Sequence, residues 1–262
     1  MAHNILGLER IIPLHIGGFK RKNTLLKNKC RSFLLQIQKG RFMKAENNRR
    51  QHFGRISILK LDVHKIMNIK GFLDEDEARR LYDLALEASR IGPCLEIGSY
   101  CGKSAVFLGT ACCESASILY SLDHHTGSEE QQPGQEYFDP ELYDPETGKI
   151  DTLKFFRRAL SEFGLNDTVV PIIGRSDIIG RFWNTPLGLL FIDGSHAYES
   201  VLTDYSLWAK HVLPGGYLVF HDIFPDPKDG GQAPWRVYSK VAESGQYEIL
   251  PLFKSLGVLK KL

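Results

Sequence analysis

The sequence predicts an α/β fold: a doubly wound, mostly parallel seven-stranded sheet with an antiparallel last strand, preceded by a basic N-terminal extension. Three observations carry this. Short apolar runs alternate with stretches of helical length, as in a parallel sheet covered on both faces. Glycine, proline or a capping residue stands at most of the junctions. Only the last two apolar runs are joined by a short link, which suits an antiparallel strand there.

Residues 1–66 read as the extension, partly helical or disordered, and residues 67–262 as the α/β domain. Within the extension, residues 25–40 form a candidate basic amphipathic helix with Leu26, Cys30, Phe33, Leu34 and Ile37 on one side. The domain opens with a helix over residues 75–90, with Asp74 as N-cap and Glu77 three positions on, in capping-box spacing. The strands are expected at 94–98, 118–123, 169–173, 187–193, 217–222, 247–250 and 256–260. The helices between them are expected at 103–113, 152–163, 198–211 and 233–244. Residues 124–151 make a long polar insert rich in Pro, Gly, Asp and Glu, the composition of a lid or a disordered loop. Its Tyr137, Phe138 and Tyr143 either close over a ligand or sit on an exposed loop.

Composition excludes several classes. Of 262 residues, 43% are apolar and 24% charged, which is ordinary for a globular protein. The net charge of +2 averages a basic leader, in which Glu46 is the only carboxylate between Arg10 and Lys60, with a mildly acidic remainder. Such a leader is either a solvated arm or a contact for nucleic acid or an anionic membrane. The five cysteines include the adjacent pair Cys112-Cys113 and no C-x-x-C, which argues against a disulfide framework or a cysteine-zinc knuckle and fits a cytoplasmic protein. No apolar run reaches the roughly 18–20 residues of a membrane span, and the first eighteen residues lack the order of a signal peptide.

The most informative segment is Leu95-Glu96-Ile97-Gly98-Ser99-Tyr100-Cys101-Gly102-Lys103-Ser104, a strand running through a glycine turn into a helix. It is neither G-x-G-x-x-G nor a Walker loop, since Gly98 and Gly102 are four apart. An acid inside the first strand suits an amino-bearing or cationic ligand better than a pyrophosphate. Asp123, closing the second strand, is placed to accept ribose hydroxyls. In a doubly wound sheet the carboxyl ends of strands face one crevice, so Asp193, His196, His221 and Asp222 should gather there.

From about residue 68 onward the chain resembles the class I S-adenosylmethionine-dependent methyltransferases, on a Rossmann-like fold. Within them it is similar to the branch holding macrocin-type sugar O-methyltransferases and cephalosporin-hydroxylase-like proteins. Glu96, Gly98 and Gly102 match the first motif, E/D-x-G-x-x-x-G, and Asp123 matches the ribose acid. The resemblance implies S-adenosylmethionine as cofactor, bound by Glu96, Gly98, Ser99, Tyr100, Gly102, Asp123, His124, Ser176 and Asp193, with the Gly174–Asp177 loop at the adenine end. Asp193 and His196 match an Asp-x-x-His used for magnesium and base, and Asp222 a second acid; His221 replaces a glutamate. His196 is therefore the candidate general base, against an orienting role. Asp193, Asp222 and His221 are the candidate ligands of a magnesium or manganese ion, against strand-end capping. Imidazole suits manganese better than magnesium, and a positioning role suits His221 better than ligation.

The implied activity is O-methylation of a small-molecule hydroxyl. Nucleic-acid methylation through the basic arm is the rival. It lacks both the Asn/Asp-Pro-Pro-Tyr of adenine enzymes and a suitably placed Pro-Cys. A non-catalytic relative would be expected to lose Glu96, the glycines or Asp123, and all are present.

Overall fold

The computed structural model describes residues 61–262. The expected helix at 25–40 and most of the basic leader lie outside the described residues. Helix α1 (Val63–Met67) is capped by Asp62, whose side chain accepts from the Lys65 amide, and it buries Val63 and Ile66 in the main core. The packed body therefore begins before residue 67.

Helix α2 (Glu75–Ala88) is capped by Asp74, whose carboxylate accepts from the amides of Asp76 and Glu77. Its buried stripe, Ala78, Leu81, Ala85 and Ala88, repeats every three or four residues, as one face of an α-helix must. Each fully buried leucine of this kind contributes about 1.5–3 kcal/mol. The second half of the capping box does not form: Glu77 is buried and turns toward the sheet.

Seven strands follow: β1 (Cys94–Ile97), β2 (Leu119–Asp123), β5 (Val169–Ile173), β6 (Leu187–Ile192), β7 (Val212–Phe220), β8 (Tyr247–Ile249) and β9 (Gly257–Lys261). Their order in the sheet is β5-β2-β1-β6-β7-β9-β8. Neighbours pair in parallel from β5 to β7, and β9 runs antiparallel to both β7 and β8, so the last strand alone is reversed, as expected. Central strands β1 and β6 are buried along their whole length, which is why they read as unbroken apolar runs.

Helices α3 (Lys103–Glu114), α4 (Leu153–Glu162), α6 (Tyr198–Trp208) and α7 (Ala233–Ala242) cover the sheet. One core, around Phe107, Phe156 and Phe191, lies with α2 and α3; the other, around Trp208 and Phe220, lies with α6 and α7. A short helix, α5 (Ser176–Ile179), follows β5 and has no strong pattern in the sequence. Strand β7 starts five residues earlier than expected, because the strand continues across Pro214-Gly215-Gly216, where Gly215 takes a positive φ of 80° and the irregularity appears as a register shift against β6.

The insert is ordered. It contains a 3-10 turn at Glu129–Gln131, another at Pro140–Leu142, and a small hairpin of β3 (Tyr143–Asp144) and β4 (Lys149–Ile150). Leu142 and Ile150 are buried against Cys101, and Lys70 bridges Asp139 and Glu141. These contacts pin both the apolar and the charged side of the insert. Among the described residues no helix is long and apolar enough to cross a membrane.

Candidate active site

A cavity of about 990 Å³ opens over the carboxyl ends of β1, β2, β6 and β7. The glycine turn forms one wall, the loops after β6 and β7 the opposite wall, and the insert the rim. Gly98, Ser99, Tyr100, Asp123, His124, Ser176, Asp193, His196, His221 and Asp222 all line it. The sequence therefore places ten of its candidate residues in one crevice.

Glu96 and Gly102 are not in the cavity wall. Glu96 is fully buried beneath the turn, hydrogen-bonded with Ser121 Oγ at 2.5 Å and Ser104 Oγ at 2.7 Å. Burial pushes its carboxyl up to about 8; in the neutral form favoured at pH 7 it donates its proton to one serine hydroxyl and accepts from the other, bracing β1 against β2 and α3. Gly102 has φ +97, and a Cβ there would press on Phe156 and Ala159; it lets α3 pack on α4. Gly98 is needed for close approach, since a Cβ would lie 2.1 Å from the Asp193 carbonyl oxygen.

Asp123 is already engaged. Its Oδ2 accepts from the amides of Ser99 at 3.0 Å and Tyr100 at 2.8 Å, and its Oδ1 from the amide of His125 at 2.7 Å. The acid expected to face ribose thus ties the glycine turn to β2, with limited acceptor capacity left over. Ser176 likewise faces the cavity but donates its hydroxyl to buried Asp204 at 2.5 Å. His124 sits at the exposed rim, bonded to Thr126. The Ser99 hydroxyl is buried in the cavity wall and has no partner among the described residues. Three non-glycine residues near the site hold positive φ: Tyr100 at 47°, His125 at 59° and Asp222 at 56°. Such conformations cost of order 1–3 kcal/mol each and cluster at functional sites.

The opposite wall is a string of alternating charges. His196 places Nδ1 3.0 Å from Glu130 Oε2 and Nε2 2.8 Å from Asp222 Oδ2. Hydrogen bonding to Asp222 is the main reason its imidazole is raised to about 9, with Glu130 adding to it against partial burial. The ring is therefore protonated at neutral pH, not near the ordinary value of 6.5 that makes a resting base. His221 is buried, with Nδ1 2.9 Å from Asp193 Oδ1 and 3.2 Å from Asp222 Oδ2, and Nε2 3.2 Å from Glu77 Oε2. Burial opposes its charge, yet these three carboxylates hold it well above its usual range. Burial raises Asp193, whereas the two imidazoles overcome burial and depress Asp222. One donor atom from each of Asp193, His221 and Asp222 lies within 4.8 Å of the others, so the trio expected from sequence does converge.

Three site residues carried no signal used in the sequence reading. Glu130 comes from the insert, whose register nothing in the sequence fixes. Glu77 looked satisfied as a capping residue, although an acid spaced with Leu81, Leu84 and Ala88 on the buried stripe is out of place. Lys103, the first residue of α3 and nearly buried in the cavity wall, donates to the Gly71 carbonyl at 2.7 Å; a cation at a helix N-terminus opposes the macrodipole.

Residues 95–223 match the family model described as a methyltransferase domain. Similar solved structures include the O-methyltransferase NovP, 17% identical with a TM-score of 0.52, the match covering 71% of this chain and 78% of that one. The SAH-bound methyltransferase PaMTH1 of Podospora anserina is 15% identical, TM-score 0.52, over 84% and 96% of the two chains. The O-methyltransferase of Bacillus cereus in complex with SAH is 17% identical, TM-score 0.52, over 79% and 92%. At such identities the likeness is one of fold. A curated relative, an uncharacterised protein of Acanthamoeba polyphaga mimivirus, is 50% identical over 36 residues; the match spans 14% of this chain and 16% of that protein. With the strand order and glycine turn described above, the stretch from β1 to just beyond β7 is similar to a methyltransferase domain, and the fold is the one these solved structures share.

Proposed function

We propose that the protein is an S-adenosylmethionine-dependent O-methyltransferase acting on a small-molecule hydroxyl. The observation that carries this reading is that the glycine turn and the titratable cluster face each other across one cavity. The residues present suit the cofactor. The partnerless Ser99 hydroxyl offers a donor and an acceptor to a polar ligand, Lys103 suits a carboxylate, and the acidic opposite wall suits a sulfonium and an amino group. They also suit a divalent cation, because two carboxylates and an imidazole converge at Asp193, Asp222 and His221. The exposed carboxylates Glu129 and Glu199 on the rim disfavour a polyanionic acceptor.

When bound, S-adenosylmethionine supplies the electrophilic methyl group, and a divalent cation would lower the pKa of the acceptor hydroxyl. The chain supplies alignment and proton handling. Asp123 holds the turn in shape, and the insert forms the rim of the cavity. His196 stands over the cavity at 41% side-chain exposure and is the residue placed to receive the acceptor's proton. In the resting site both ring nitrogens face carboxylates, so His196 first releases a proton to solvent, to which it is exposed, and only then takes one up from the acceptor hydroxyl. Asp222 stabilises the imidazolium that results.

Calorimetric titration tests the cofactor: S-adenosylmethionine should bind and NAD should not, and the reverse result would end the assignment. His196→Ala should lower methyl transfer by about 10²–10⁴-fold, the usual range for a proton-transfer group, while leaving cofactor affinity unchanged. Full turnover in that variant would remove His196 from the chemistry.

A further inference from the structure

Glu77 is an unusual buried charge. It stands on α2, 144 residues from His221 in sequence, and its side chain is 5% exposed. Its Oε1 accepts from both the amide and the hydroxyl of Ser255, each at 2.7 Å, and its Oε2 faces His221 Nε2 at 3.2 Å. Burying a carboxylate costs several kcal/mol unless it is fully bonded, and a packing role for this stripe position would be met by leucine. The geometry has a directional consequence. A carboxylate only accepts, so the nitrogen facing it, Nε2, must carry hydrogen. Nδ1 faces Asp193 and Asp222 and by the same rule carries hydrogen in the resting site; a cation seated between those two carboxylates would take the place of that proton alone, leaving Nε2–H toward Glu77.

We propose that Glu77 is a positioning residue that holds His221 in the Nε2-protonated tautomer and so presents Nδ1 as the nitrogen donor of a cation site completed by Asp193 and Asp222. The inference rests on the divalent-cation reading of the site. It names the element that makes imidazole serviceable there: a carboxylate behind a ligating histidine fixes ring orientation and strengthens the donor. The contact also links the site to the turn between β8 and β9, through Ser255.

Glu77→Gln is the discriminating change, because it keeps the volume. The Ser255 amide requires an acceptor, so the glutamine oxygen stays at that end and its NH₂ faces His221 Nε2. Nε2 must then accept, hydrogen moves to Nδ1, and the donor is lost. Full-length protein stripped with chelator would be titrated with Mn²⁺ and free ion read by electron paramagnetic resonance. Wild type should bind, and Glu77→Gln should bind about 10–100-fold more weakly. In a His221→Asp background the same change should have little effect, because aspartate has no tautomer to set. Equal affinity of wild type and Glu77→Gln, or an equal loss in both backgrounds, would overturn the positioning role while leaving the cation reading intact. Absence of Mn²⁺ binding in wild type would overturn the cation reading, and the inference with it. Should Glu77→Gln fail to fold, imidazole ¹⁵N shifts of Zn²⁺-loaded wild type decide: Nε2–H with metallated Nδ1 is expected, and the opposite assignment would refute it.

Discussion

At the scale of single residues, the site is built from groups whose ordinary ionisation has been displaced. Glu96 is the plainest case. Its carboxyl is raised from 4.5 to about 8 by complete burial, so the native state keeps a proton that the unfolded chain releases. Stability should therefore fall as pH rises from about 4.5 to about 8 and level off above that, a loss of a few kcal/mol. Glu96→Gln, whose amide can bond both serine hydroxyls, should remove this contribution. Urea unfolding at about pH 5 and pH 8.5 should show the variant gaining on wild type at the higher pH; parallel curves would mean that Glu96 carries no proton. The family motif marks this position as an acid beside the ligand. Its placement beneath the turn depends on Ser104 and Ser121, which no motif records.

At the scale of elements, what could be read from sequence was what is local. The strand–turn–helix at Gly98 and the acids at strand ends follow from apolar runs and their punctuation, and β1, β2 and β6 fall within a residue or so of expectation. Contacts across long separations were not legible. Glu130 meets His196 over 66 residues and Glu77 meets His221 over 144, and no periodicity encodes such pairings. The insert shows the difference. Its composition suggests a loop, yet Leu142 and Ile150 anchor it apolarly and Glu130 ties its first 3-10 turn to the loop after β6. A partly exposed charge pair of this kind is worth up to about 1 kcal/mol. Glu130→Gln should speed amide hydrogen exchange over residues 128–138 by up to about fivefold. Unchanged exchange would mean the apolar anchor alone holds the insert.

At the scale of the whole molecule, the sheet order puts β1 and β6 side by side at the centre and brings the loops of four strands to one end, so one cavity collects residues from Lys70 to Asp222. The body that holds this arrangement begins before the cavity does, because α1 buries Val63 and Ile66 against it. Each such side chain contributes about 1.5–3 kcal/mol. A chain starting at Leu61 should accordingly unfold at higher denaturant than one starting at Met67. Equal midpoints would show α1 to be dispensable.

The bond pattern of Asp123 bears on how a ligand arrives. With the Ser99 and Tyr100 amides held before anything enters, the bend loses its conformational freedom during folding and not during association. Ordering even two backbone residues on binding would cost about 2–4 kcal/mol. A ligand meeting this preorganised bend is spared that penalty, so its affinity reports the contacts it makes and little of the loop's own entropy.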